Sequence, residues 1–159
     1  MDQAITIRDY GDAAVMTLEP TQTTEPGTGE IRLRQTAIGV KFHDVYVRSG
    51  LYKTLALPGI PGCEAAGVIE AVGPDVTDLQ VGDRVAYVTS AYGAYASARL
   101  LKADLAVKLP DAISDQTAAT NLLRAMTVEM LLNQVSRAEP GQTVPVSYTH
   151  LTLPTIYSV

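Results

Sequence analysis

The chain has 159 residues, with 17 acidic against 12 basic side chains, a formal charge of -5 and 47% hydrophobic residues. That hydrophobic share argues against wholesale disorder, and the acidic balance gives no electrostatic footprint for nucleic acid or an anionic membrane. With Cys63 as the single cysteine, an intrachain disulfide and a cysteine-rich metal site are both excluded.

No run of 18 apolar residues is present to span a bilayer, and the N-terminal MDQAITI lacks a basic region followed by a long apolar stretch. Cytoplasmic placement is therefore the expectation. In chain order, residues 4–7 and 15–18 are short strand candidates. Residues 19–30, with two prolines and two glycines, read as loop. Residues 30–36 alternate, with Ile31, Leu33 and Gln35 on one side and Arg32, Arg34 and Thr36 on the other. That pattern predicts an antiparallel strand with one apolar face and one face in water. Residues 42–49 predict a short helix stopped by Gly50, because Phe42, Val45, Tyr46 and Ser49 share a helical face.

A proline-marked loop at 51–60 leads into the stretch around which the chain is organised, residues 61–88. There Gly62 and Gly67 bracket Cys63, Glu64, Ala65 and Ala66, and glycines so placed predict tight backbone geometry or close approach. Residues 68–72 and 84–88 read as two strands joined by a polar loop. Small and aromatic residues alternate over 93–100, and 107–109 is a further short strand before Pro110. Beyond it, Ser114 is the predicted N-cap of a helix of about 20 residues. Its apolar positions, Ala118, Ala119, Leu122, Leu123, Met126, Met130 and Leu131, predict a broad buried face with the two methionines as core fillers. Glu139, Pro140 and Gly141 close it, and a strand begins at Gln142. His150, in a tail without formal charge, is expected to be exposed or disordered and without a catalytic role.

Several segments in the same order resemble the quinone oxidoreductase branch of the medium-chain dehydrogenase/reductase family. They are FHDVYVRSGLY at 42–52, PGCEAAGVIEAVG at 61–73, VGDRVAYV at 81–88, GAYASARLLKAD at 93–104, AMTVEMLL at 125–132 and EPGQTV at 139–144. The resemblance implies a mainly β fold with helices: a GroES-like, partly open β-barrel followed by only the beginning of a Rossmann α/β domain. It divides the chain into an incomplete GroES-like catalytic domain over 1–110, a connecting helix and nucleotide-domain start over 111–144, and a non-family tail over 145–159, artefactual or disordered. The implied activity of the full-length parent is metal-free hydride transfer from NADPH to a quinone or another conjugated small molecule. The fragment alone is expected to be inactive. Two alternatives stay open: an enone or activated-alkene reductase, and a noncatalytic protein-association module. A homodimer of the parent is compatible with the resemblance, whereas nucleic acid and membrane insertion are not expected.

Site candidates follow from the same resemblance. Zinc-using relatives carry ligands where this chain has Lys41 and Cys63, a poor ligand and an isolated one, so no metal is expected. Lys41 stands in GVKF where the pattern often has asparagine. It either donates to a developing oxyanion or occupies an altered, exposed position. Tyr46 and Tyr52 are expected to line the nicotinamide–quinone site, against ordinary amphipathic burial. Asp44 could accept a hydrogen bond at the helix start or position the pocket. Glu64 is expected to brace the Gly62–Gly67 turn through backbone donors or Arg48. Thr127 either approaches the nicotinamide or bonds back to its own helix, and Cys63 is read as a small buried residue.

Overall fold

In the computed structural model, residues 1–143 are described. They comprise β1 (Asp2–Thr6), β2 (Thr17–Thr21), β3 (Glu30–Gly39), α1 (Phe42–Ser49), β4 (Glu64–Val72), β5 (Arg84–Val88), β6 (Ala98–Lys102), β7 (Ala106–Lys108) and α2 (Asp115–Glu129). The chain divides into a unit from Met1 to Met126 and a second unit beginning at Thr127.

In the first unit, β1 and β2 form a two-stranded sheet, and a five-stranded sheet runs in the order β6-β3-β4-β5-β7. Every pairing is antiparallel. An isolated bridge between Ala4 and Ala96 links the two sheets, which stay open. The predicted alternation of β3 holds where it matters: Ile31 and Leu33 are fully buried, and Arg32 and Arg34 reach Glu70 on the other face. Register shifts after Arg32 and after Gln35 bend the strand and carry it on to Gly39.

The buried face of the sheet packs Ile31, Leu33, Ala65, Ile69, Val85, Tyr87 and Leu101 into the main core. Ala66 and Ala86 point the opposite way and meet Ala118 and Ala119 of α2. Small residues on both partners let the helix lie close to the strands. This two-sided burial explains why β4 starts at Glu64, earlier than the predicted 68–72: the segment EAAG lacks β-branched residues but is covered on both faces. Gly62 has φ +87, and a methyl on Gly67 would overlap the backbone of Arg34 on β3. A third cluster, Ile7, Val47 and Leu55, fixes the underside of α1.

Other boundaries moved. Residues 13–15 form a turn of 3₁₀ helix and the following strand is Thr17–Thr21, so the strand expected at 15–18 is displaced toward the C-terminus. Ser114 does cap α2, its hydroxyl accepting from Thr117 N–H at 3.1 Å. Asp115 then accepts from Thr36 at 2.5 Å and from Arg84 Nε at 2.9 Å, tying the helix start to β3 and β5.

The broad buried face expected of α2 is corrected. Only Ala118 and Ala119 are buried, while Met126 and Met130 are 54% and 43% exposed, so neither methionine fills a core. Periodicity reports which side of a helix is apolar, not whether anything covers it. After Glu129 the second unit continues as a π-helical turn, Met130–Val135, and ends where Arg137 takes φ +49. The expected strand from Gln142 and His150 fall outside, or almost wholly outside, the described residues. Among those described, no helix is long and apolar enough to cross a membrane.

Candidate active site

Helix α1 is built to present one face to the core and one to an open aromatic cluster. Gly50 closes it in the left-handed conformation, at φ +81, as its sequence position predicts. At its start Asp44 Oδ2 accepts from Lys41 N–H at 2.8 Å, capping the first turn with a carboxylate. The same oxygen accepts from the Tyr95 hydroxyl at 3.0 Å. Burial first, and then the Asp44 charge and this hydrogen bond, hold the Tyr95 phenol well above its ordinary range. Asp44 is 4% exposed and its second oxygen has no hydrogen-bond partner among the described residues.

Lys41 is not exposed. Its ammonium is buried against Glu64 in an ion pair, with Glu64 itself fully enclosed. Glu64 Oε1 accepts from Leu123 N–H of α2 at 2.7 Å. One carboxylate therefore joins the start of α1, the first residue of β4 and the middle of α2. The expected Arg48 partner is a correction: among the described residues Arg48 Nε finds no hydrogen bond, and the cation that reaches Glu64 is Lys41. Close packing is the reason, since Lys41 is α1's N-cap and lies beside Gly39, which pairs with Glu64 in the β3–β4 ladder. A charge so committed is a poor candidate to reach out and polarise a substrate oxygen.

Cys63 is buried beside this group. Desolvation first, and then the Asp44 and Glu64 charges, push its thiol up to about 11, so it stays protonated near neutrality. Among the described residues no group of three or more His, Cys, Asp or Glu could hold a metal ion.

The tyrosines lie on the other side of α1. Tyr46 and Tyr52 meet edge to face, with ring centroids 5.2 Å apart, and Tyr52 N–H donates to Tyr46 O at 3.1 Å. Phe42 stands edge-on to Tyr46 at 5.1 Å, and both Phe42 and Tyr52 are nearly half exposed. His43 extends the cluster: its ring centroid is 5.6 Å from that of Tyr52 and 6.1 Å from that of Tyr92, to which it is almost parallel. Sequence reasoning placed Tyr46 and Tyr52 together but missed Tyr92, 49 positions from His43, for which no local spacing gives a signal. Thr127 is exposed near the end of α2 and belongs to the second unit.

Residues 27–111 match the alcohol dehydrogenase GroES-like domain. The chain is 42% identical to a quinone oxidoreductase of Pseudomonas aeruginosa, over 91% of this chain and 44% of that protein. It is 39% identical to a 2-haloacrylate reductase of a Burkholderia species, over 91% of this chain and 45% of the relative. Among solved structures, quinone oxidoreductase from Pseudomonas syringae superposes with a TM-score of 0.83 at 41% identity, covering 89% of this chain and 43% of that one. Escherichia coli quinone oxidoreductase complexed with NADPH gives 0.80 at 40% identity, covering 83% and 40%. The chain thus spans less than half the length of the curated relatives it matches. Its mainly β architecture with open sheets is that of the matched domain, which takes in more than half of the sequence, and the chain belongs to the alcohol dehydrogenase GroES-like domain family.

Proposed function

We propose that the protein carrying this chain is an NADPH-dependent quinone reductase that works without a metal, and that residues 1–159 contribute the acceptor-facing wall of its site. The observation that carries the reading is the similarity to quinone oxidoreductases over nine-tenths of the chain, coupled to the edge-to-face pair of Tyr46 on α1 and Tyr52 just beyond its cap. NADPH would supply a hydride, and a conjugated dicarbonyl delocalises the incoming charge without Lewis-acid help.

The nicotinamide end of that cofactor fits the residues present. A flat heteroaromatic ring and a flat acceptor both pack well against a pair of tyrosine rings of which Tyr52 is exposed and Tyr46 half-buried, and their hydroxyls are candidate donors. Lys41 and Asp44 act from behind the helix: the first through Glu64, the second by capping α1, so that the tyrosines are held rather than touched. A role for Thr127 rests on the resemblance alone. The donor set supports a metal-free route, because Lys41 is spent on Glu64 and the Cys63 thiol is held protonated.

Near-attack geometry needs donor carbon and acceptor held together. Residues 1–159 alone are therefore expected to give negligible turnover, and the protein expressed from its full reading frame to oxidise NADPH with a quinone. Quinone-dependent NADPH oxidation by purified 1–159 at the rate of the whole protein would refute the division of labour. A second reading, reduction of an activated alkene, is favoured by the 2-haloacrylate reductase relative. Comparing kcat/KM for a quinone and for a 2-haloacrylate decides between the two.

A further inference from the structure

Beside the tyrosine pair runs a line of side-chain hydrogen bonds that the reading above does not use. His43 Nε2 lies 3.2 Å from the Tyr92 hydroxyl, and that hydroxyl lies 2.5 Å from Thr54 Oγ1. Thr54 is exposed, whereas His43 and Tyr92 are half-buried. The line therefore leads from water to the ring cluster that contains Tyr52 and Tyr46. Tyr92 is held there at some cost. Its φ is +38, a region that favours glycine, while its ring packs beside Ile7, Val47 and Leu55. Strain of this kind persists where the surroundings over-determine a residue, and it gathers at functional sites. His43 makes that hydrogen bond through Nε2, and its ring stands between those of Tyr92 and Tyr52.

Resting on the reductase reading, we propose that Thr54, Tyr92 and His43 form a proton relay that supplies the proton consumed with each hydride. The electron pair of the hydride leaves one oxygen of the reduced acceptor as an anion. As the new O–H bond forms, the Nδ1–H bond of His43 breaks and Nε2 takes the hydroxyl proton of Tyr92. Tyr92 is refilled from Thr54, and Thr54 from water, so one solvent proton enters for each proton delivered. Exchange with solvent then restores the starting tautomer. This polarity requires neutral His43 to carry its proton on Nδ1 and to accept at Nε2. His43 acts at the rim of the acceptor site; Tyr92 and Thr54 act through it.

The test uses the protein expressed from its full reading frame, with wild type, Tyr92→Phe and Thr54→Val compared. Tyr92→Phe keeps the ring and removes only the hydroxyl. It is expected to lower kcat for a quinone about tenfold, below the usual range for a positioned acid because water replaces part of the relay. KM should be unchanged, and a wild-type solvent isotope effect involving several protons should fall to one. Nitrogen NMR of the His43 ring, read without cofactor, should show the Nδ1–H tautomer in wild type and a mixture in Tyr92→Phe. Wild-type turnover and isotope effect in both variants overturn the relay. An Nε2–H tautomer in an active wild type overturns it too, because the imidazole then donates outward. A protein that reduces neither quinone nor activated alkene with NADPH refutes the reductase reading, and the relay with it.

Discussion

Replacing Lys41 with methionine would test the central packing argument most directly. The substitution keeps much of the side-chain volume but removes the cation paired with Glu64, which is fully enclosed. Breaking a buried ion pair from one side costs about 3–5 kcal/mol, since the remaining charge loses its counter-charge without regaining water. Glu64→Gln should cost a similar amount for the mirror-image reason, although its amide oxygen can still accept from Leu123 N–H. The double variant leaves no buried charge and keeps that acceptor, so it should sit within about 1–2 kcal/mol of wild type. The cycle then yields a coupling of at least about 4 kcal/mol, since the two single costs together exceed the double cost by that much. Urea denaturation followed by circular dichroism reads this out. At a slope near 2 kcal/mol/M, each single variant should move the midpoint down by about 2 M. A Lys41→Met chain within about 1 kcal/mol of wild type, or costs that simply add, would show that Lys41 is solvated and free, and would restore it as a candidate donor to substrate.

Three further outcomes are expected. Asp115 is held below the usual carboxylate range chiefly by its hydrogen bond from Thr36, with Arg84 adding to it, so its contribution is complete above the unfolded pKa and is lost as pH falls through the lower folded value. Asp115→Asn should therefore cost about 1 kcal/mol at neutral pH and flatten the acid limb of a stability–pH curve; an unchanged limb contradicts the anchor. Gly67→Ala drives a methyl into the Arg34 backbone and should destabilise by about 1–3 kcal/mol in the same urea assay, with a neutral result showing that β3 and β4 are further apart than described. Cys63, its thiol pushed up to about 11 and its side chain buried, should resist thiol reagents near neutral pH in the folded chain and react at once in denaturant. Fast labelling without denaturant would refute that placement.

Local chemistry made much of this legible in advance. Gly50 stops α1, Ser114 starts α2, and the alternation of Ile31 and Leu33 with Arg32 and Arg34 sets the faces of β3, because each rule acts within a few residues. The boundaries that moved depend on what lies across the sheet. EAAG at the start of β4 has no strand signal of its own and becomes extended because β3, β5 and α2 enclose it. For Met126 and Met130 the opposite holds: a strong periodic signal meets no covering surface among the described residues.

The site divides along the same line, and the division bears on how Lys41 should be read. The proximity of Tyr46 and Tyr52 was legible because one short helix and its cap bring them together, whereas Lys41 and Glu64 are 23 positions apart and their pairing is a property of the β3–β4 register. From sequence, the resemblance leaves Lys41 either a donor to substrate or an altered, exposed position. In the fold it answers a different need: Glu64 is enclosed and spends one oxygen on Leu123 N–H, so a cation at the N-cap of α1 neutralises the other where an amide could only hydrogen-bond. Lys41 thus bears on how α1 is fixed. A Lys41→Asn chain should accordingly lose stability first, and whatever changes at Tyr46 and Tyr52 should follow from a shifted helix rather than from a missing donor.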